Sequence, residues 1–447
     1  MQIKNGVSMI PYGLLAGIVD GQEVRITQLG ENGFQFRMAE KKENIREIRL
    51  QFFVEGEHCY REILILGNRI QMVEEKRFFT EYTVWTEAKE YQQCVQHLVS
   101  DYWNYITLKM TETDGEVAAA YTDYPVHLDE EYAESLEMQK EEWFHEAAGK
   151  AKGQELSDRV EIALELDTPQ LYEEWLQKST EEYEKRYWEA RGLQFHPLAK
   201  KKIKRLYIGN TFCPHLCPQK EMLAEMLKKA KREQRAVTLT FPWIKEGQID
   251  GVMDCLEFLE TQEECLPDEM VVNDWGTLYL LQKWKRQAGI SVNINLGILF
   301  SRWKKDNRLR YLKIDTACFR ETNINSRFYQ KYLEEQQQIQ RYELEVCGHE
   351  FVVPQGRHSL HLPFFQTNTA QFCTLYAKAV SGDRGKQKVI DKCPQYCREL
   401  AFLYPKHLEM FGQYNTLFGF DRQSLEDMEY LNQYIRQGID RIVVNLM

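Results

Sequence analysis

The chain has 447 residues, 43% of them hydrophobic, with Trp 9, Tyr 24 and Phe 22; that is more than one core usually organises, so two or three domains are expected. A formal net charge of −11 opposes general coating of a phosphate backbone, and no 18-residue apolar run offers itself as a membrane span. The early apolar stretch at residues 7–19 is interrupted by Pro11, Gly13 and Gly17 and is not read as a secretory signal. A cytoplasmic protein is therefore expected. Its eleven cysteines, an odd number, read as buried thiols, metal ligands or catalytic groups and not as disulfides.

Residues 23–81 alternate with period two: Val24, Ile26 and Leu29, then Phe34 and Phe36, then Ile48, Leu50 and Phe52, then Ile63, Leu64 and Ile65. Gly30, Gly33 and Gly67 break the pattern, which predicts a small antiparallel β-barrel or sandwich, with Glu31-Asn32-Gly33 as a hairpin turn. Beyond residue 84 long acidic, helix-favouring runs follow. Glu130, Glu131, Glu134, Glu137, Glu141 and Glu142 mark one, and Thr168 before Pro169 marks the start of another. Residues 160–166 alternate as a strand between them. The expected division is a β-domain over 1–110, an acidic helical connector over 111–200 and a third domain over 201–447.

In that third domain, strand-like segments at 205–208, 236–241, 269–273, 291–295, 311–314, 342–346 and 441–446 alternate with helical ones at 219–234, 250–260, 277–288 and 424–437. Repeated βα units of this total length predict a TIM-like barrel, whose chemistry sits at the carboxy-terminal ends of the strands. Two basic runs, Lys200, Lys201, Lys202, Lys204 and Arg205, and Arg302, Lys304, Lys305, Arg308 and Arg310, read as solvated faces.

Thiols fall where such a barrel would use them. The strand ending Ile208-Gly209-Asn210 runs at once into Thr211-Phe212-Cys213-Pro214-His215-Leu216-Cys217, and Cys373, Cys393 and Cys397 follow later. Two cysteines four residues apart in a loop, as Cys393 and Cys397 are, suit a shared iron or zinc site.

These segments resemble the collagenase-like U32 peptidase family, above all its iron-sulfur members that carry out oxygen-independent hydroxylation. Gly209 and Cys213 keep the family's spacing. Val271-Val272-Asn273-Asp274-Trp275-Gly276, Val292-Asn293-Ile294-Asn295 and the closing Gly438-Ile439-Asp440-Arg441-Ile442-Val443-Val444-Asn445-Leu446 are similar to its later strands. The resemblance covers roughly residues 204–447 and implies a 4Fe-4S cluster on Cys213, Cys373, Cys393 and Cys397. Two departures stand out: the interval between Cys373 and Cys393 is longer than the family's, and Asp315 stands where relatives carry a glutamate. Cys217 is a rival to Cys213. The amino-terminal domain resembles a degenerate PilZ domain. It lacks the arginine pair that grips cyclic di-GMP, so that ligand is not expected.

Asn273, Asp274, Asn293 and Asn295, at strand ends, are candidates to orient a substrate or hydrogen-bond the cluster, although each could equally satisfy loop backbone. His349 is a candidate general acid or base, and His215 a further ligand or proton donor. Three functions remain open: a cluster-dependent enzyme modifying a small molecule or RNA, a peptidase, or a redox-sensing scaffold. No Ser-His-Asp order and no His-Glu-x-x-His helix supports the second. A second chain of the same family, or a homo-oligomer, is the expected partner.

Overall fold

The structure is a computed structural model that describes residues 2–8, 10, 13–54, 57, 59–66, 70–110, 133–151, 155–262, 265–311, 317–382, 385–404 and 406–446. Contacts divide the chain into two compact units, one of residues 1–130 with 307–316 and 403–410, the other of the remainder.

The first unit is a curled antiparallel sheet of β1 (Leu15–Val19), β2 (Gln22–Gly30), β3 (Gly33–Met38), β4 (Glu47–Val54), β5 (Cys59–Leu66), β6 (Ile70–Glu75) and β7 (Thr80–Trp85), in the order β5-β4-β1-β2-β3-β7-β6. The alternation read from the sequence points Leu29, Phe34, Phe36, Ile48, Leu50, Phe52, Ile63 and Ile65 into one core, which Tyr91 and Val95 of the helix Lys89–Met110 complete. The hairpin forms where expected, with Gly30 opposite Gly33. Gly33 is required by close approach: a Cβ there would lie 2.1 Å from the Val84 carbonyl oxygen. The interrupted apolar stretch near the amino terminus supplies β1, which lies between β2 and β4.

The second unit is a nearly closed parallel barrel. Its strands are β8 (Glu161–Leu166), β9 (Ile203–Ile208), β10 (Ala236–Thr240), β11 (Glu269–Val272), β12 (Asn293–Leu296), β13 (Glu343–Glu345), β14 (His358–Leu362) and a closing strand Ile439–Val444. The hydrogen-bonded order runs from β12 back through β11, β10, β9 and β8 to the closing strand, then β14 and β13. One parallel bridge, Leu296 to Tyr342, joins the two edges. The strand at 160–166 is therefore the first strand of the barrel, paired with β9 and with the closing strand. The segment at 311–314 lies largely outside the described residues. β14, with three polar residues in five, carried too little hydrophobic signal to be read as a strand.

Helices follow most of the strands, as in a βα barrel, but none stands between β13 and β14. Pro169 starts the helix Pro169–Gln177, but the Thr168 side chain makes no capping bond; the full capping box is at Ser179 and Glu182, ahead of Thr180–Glu189. The expected helix at 424–437 is broken at Asp427, whose side chain caps Met428–Gln437. Between β14 and the closing strand the chain makes a long excursion, held by an antiparallel pair of Phe364–Thr369 with Thr416–Phe420. Among the described residues no helix is long and apolar enough to cross a membrane.

Candidate functional site

Side chains alternate along each barrel strand, so Glu161, Ala163 and Glu165 of β8 share one face with Tyr207, Val271 and Val443. Unusually for a core, much of that inward face is charged. Arg441 Nη1 lies 2.7 Å from Glu269 Oε2 and donates to the Tyr207 hydroxyl at 2.9 Å, while Arg205 Nε donates to Glu161 Oε1 at 2.8 Å. The arginines hold Glu269 down to about 2, against the opposing pull of burial. Arg205 and Lys305, read from the sequence as solvated, are in fact buried: Arg205 in this network, Lys305 in an ion pair with Glu345. A run of basic residues conceals such a pairing because the partner carboxylate lies on a distant strand.

Toward the carboxy-terminal rim the network becomes a chain of titratable groups. His361 Nε2 lies 3.0 Å from Glu343 Oε2, and its Nδ1 lies 3.5 Å from Glu165 Oε2. Asn445 Nδ2 donates at 3.2 Å to both Glu165 Oε2 and Asp167 Oδ2. The two carboxylates raise His361 to about 10 in spite of burial. Burial and the neighbouring Glu165 push Asp167 up to about 7, and its Oδ1 is buried without a hydrogen-bond partner. This arrangement can store a proton and hand it over at the rim. Sequence reading missed Glu165, Asp167, Glu343 and His361; the available signal was charge recurring at positions 161 and 165 of β8 and at 167 just beyond its end.

The thiols stand at the same end. Gly209, with φ +115 and its Cα too near Thr240 for a side chain, turns the chain out of β9. The fully buried Asn210 then fixes the loop: its Oδ1 accepts from the Phe212 and Cys213 amides, each at 2.8 Å, and its Nδ2 donates to the Asp167 carbonyl at 3.1 Å. Asn415 clips this loop to the excursion, donating to the carbonyls of Phe212 and Ala370. Cys373 precedes the helix Thr374–Ser381, accepts from the Tyr376 amide at 3.3 Å and donates to the Tyr414 carbonyl. Cys393 accepts from the Gln395 amide at 3.4 Å, and the Gln395 side chain reaches the His215 carbonyl.

Cys213, Cys373, Cys393 and Cys397 lie in one another's electrostatic reach: Cys213 feels Cys373 and Cys397, and Cys397 feels Cys373 and Cys393. Burial pushes Cys373 up to about 11 and Cys397 to about 12, with the other thiols adding to the rise. Cys217, the rival thiol, lies against the carbonyls of Asn210 and Cys213 and feels Cys255, and it adds to the rise of Cys213. An all-sulfur donor set on a rim, with amide N–H groups already aimed at two of its sulfurs, suits iron-sulfur or zinc ligation. Among the described residues no three His, Cys, Asp or Glu side chains yet stand close enough to grip an ion.

The other sequence candidates are spread through the barrel. Asn273, buried after β11, donates to the Phe241 carbonyl, and Asp274 caps the helix Trp275–Ala288 through the Thr277 amide. Asn295 bridges Glu269 and Glu343 inside the barrel. Asn293 lies at the opposite, amino-terminal end, on a cavity of about 780 Å³ at the seam between β12 and β13. His349 Nδ1 lies 3.2 Å from Cys347 Sγ; burial lowers the imidazole and raises the thiol. His215 is half-buried and likewise lowered by burial.

No family model and no curated protein matches the chain. Among solved structures the chain is similar to an uncharacterised Legionella protein, Lpg0364, at 10% identity over 22% of this chain and 96% of that one, with a TM-score of 0.16. It is also similar to the U32 peptidase Mk0906, at 7% identity over 66% of this chain and 96% of that one, with a TM-score of 0.29.

Proposed function

We propose that this chain is an iron-sulfur protein of the U32 type, with Cys213, Cys373, Cys393 and Cys397 as ligands of a 4Fe-4S cluster. Its activity is then the oxygen-independent hydroxylation or related modification of a small molecule or RNA. What supports the reading is proximity: thiols from the loop after β9, from the start of a helix and from a tight turn lie in one another's electrostatic reach past the carboxy-terminal ends of the strands. A bound 4Fe-4S cluster supplies one-electron chemistry. The chain's own part is to exclude water from Cys213, which is buried while the other three thiols are half-buried, and to hold a proton on Asp167. His361 and Asn445 position that carboxyl through Glu165.

A peptidase needs an activated nucleophile. Cys347 beside His349 is the thiol–imidazole contact, yet burial moves both groups away from a thiolate–imidazolium pair. The hydroxylase-type reading is accordingly preferred.

Anaerobic expression with iron and sulfide analysis tests it. Brown protein with about four irons per chain is expected, lost in Cys393→Ala and retained in Cys255→Ala. A folded, colourless, iron-free chain from an anaerobic host overturns the reading.

A further inference from the structure

At the same rim, beside the thiols, lies a cleft of about 510 Å³ lined among others by Trp243, Ser301, Arg302, Trp303, Lys305 and Gln366. Trp243 Nε1, Ser301 Oγ and Trp303 Nε1 are all buried without a hydrogen-bond partner. Each such group costs about 1–3 kcal/mol unless something accepts from it. Three in one cleft, contributed by the loops after β10 and β12, point to one missing acceptor-bearing ligand. Cations surround them. Arg302 is exposed on the cleft wall. Lys305 Nζ, already paired with Glu345, lies 5.4 Å from the Trp303 ring centroid, and Lys245 Nζ 5.8 Å from that of Trp243. Lys245 also lies in the field of Cys213 and Cys373, which places the cleft next to the proposed cluster ligands.

We propose that this cleft binds the substrate, a small planar ring carrying a carboxylate or phosphate. Its oxygens accept from Trp243, Ser301 and Trp303, and the ring fills the rest of the cleft. A cleft of this size suits a small ligand, and the chain's net charge of −11 favours a single anion over a polyanion such as RNA. The inference rests on the proposed function for its place in a reaction, but binding itself needs no iron.

The test is calorimetric titration of the full chain, with and without iron, using benzoate and phenyl phosphate. Benzyl alcohol serves as the ring without a charge, inorganic phosphate as the charge without a ring, and a short RNA oligonucleotide as the polyanion. Saturable binding of at least one ring anion is expected, tighter than of any control, and present in iron-free protein. Ser301→Ala, which removes a donor with little change of shape, should weaken it about tenfold, the weight of one hydrogen bond to a charged acceptor, and Trp243→Phe and Trp303→Phe, which remove a donor together with part of the ring, at least as much. Thermal melts establish that the variants fold; should a Trp variant not fold, Ser301→Ala decides. No saturable binding, equal binding of a control, tighter binding of the RNA, or wild-type affinity in the folded variants each overturns the inference. Because iron content is read separately, loss of the cluster reading with ring-anion binding intact distinguishes the two failures.

Discussion

The two units stabilise their interiors by opposite means. The antiparallel sheet buries Leu29, Phe34, Phe36, Ile48 and Leu50 completely. Inside the barrel, by contrast, Arg441 is paired with Glu269 and Glu161, and His361 with Glu165 and Glu343. Burying ions is expensive, and a network of this kind is weak evidence for stability because apolar residues of similar volume often do as well. The sheet therefore reads as an element selected for packing. The barrel interior reads as one in which charge is kept for positioning.

The comparison predicts its largest effect at the centre of the barrel network. Arg441→Met leaves Glu269 and Glu161 with Arg205 alone as their cation and should destabilise the chain by about 3 kcal/mol in urea titration. Ile48→Val, a single methyl from the sheet core, should cost about 1 kcal/mol. If the two variants unfold alike, the barrel charges are not the sensitive element and the contrast fails.

The next effect is a pH dependence that the sheet core should lack. Asp167 has its folded pKa at about 7, above the ordinary value near 3.8, so the folded state holds the proton more tightly. Its contribution to stability is then complete below about pH 4 and is lost as pH rises toward 7 and beyond. Asp167→Asn removes that slope. The stability difference between variant and wild type should change by on the order of 3 kcal/mol between pH 4 and pH 8. A constant difference across that range would show that the carboxyl is ordinary. His361, raised to about 10, gives stability that is complete below about pH 6.5 and is lost as pH climbs through 10; His361→Asn should be relatively less impaired at high pH.

What the sequence disclosed divides along the same line. Packing was legible: period-two apolar residues marked β2 to β5, and alternating βα signals marked β9 to β13 to within a few residues. The thiol segments were legible too, because Gly209 and Cys213 occur at a strand end. The acid–base chain was not. Glu165, Asp167, His361 and Glu343 come from three strands, and a charged residue facing inward looks, in one dimension, like one facing solvent. β8 was seen as a strand but taken from the barrel's first position, since its partners, β9 and the closing strand, are reached only through the fold. His358–Leu362 escaped because its inward residues, Ser359 and His361, are polar.

The smallest effect tests whether the sheet's interior is as uncharged in behaviour as in composition. Tyr91 places its hydroxyl in that apolar core and donates to the carbonyls of Gly30 and Gly33 at 2.7 and 2.9 Å, which ties the helix Lys89–Met110 to the β2–β3 hairpin. Tyr91→Phe keeps the ring and leaves two carbonyls without this donor, so a loss of about 1 kcal/mol is expected. The groups involved are neutral throughout the physiological range, so the loss should be the same at pH 5 and pH 8. A pH-dependent loss would reveal a charged group coupled to the hairpin and would erase the distinction between the two interiors. A uniform one leaves the barrel as the part of the chain where proton binding and folding are linked.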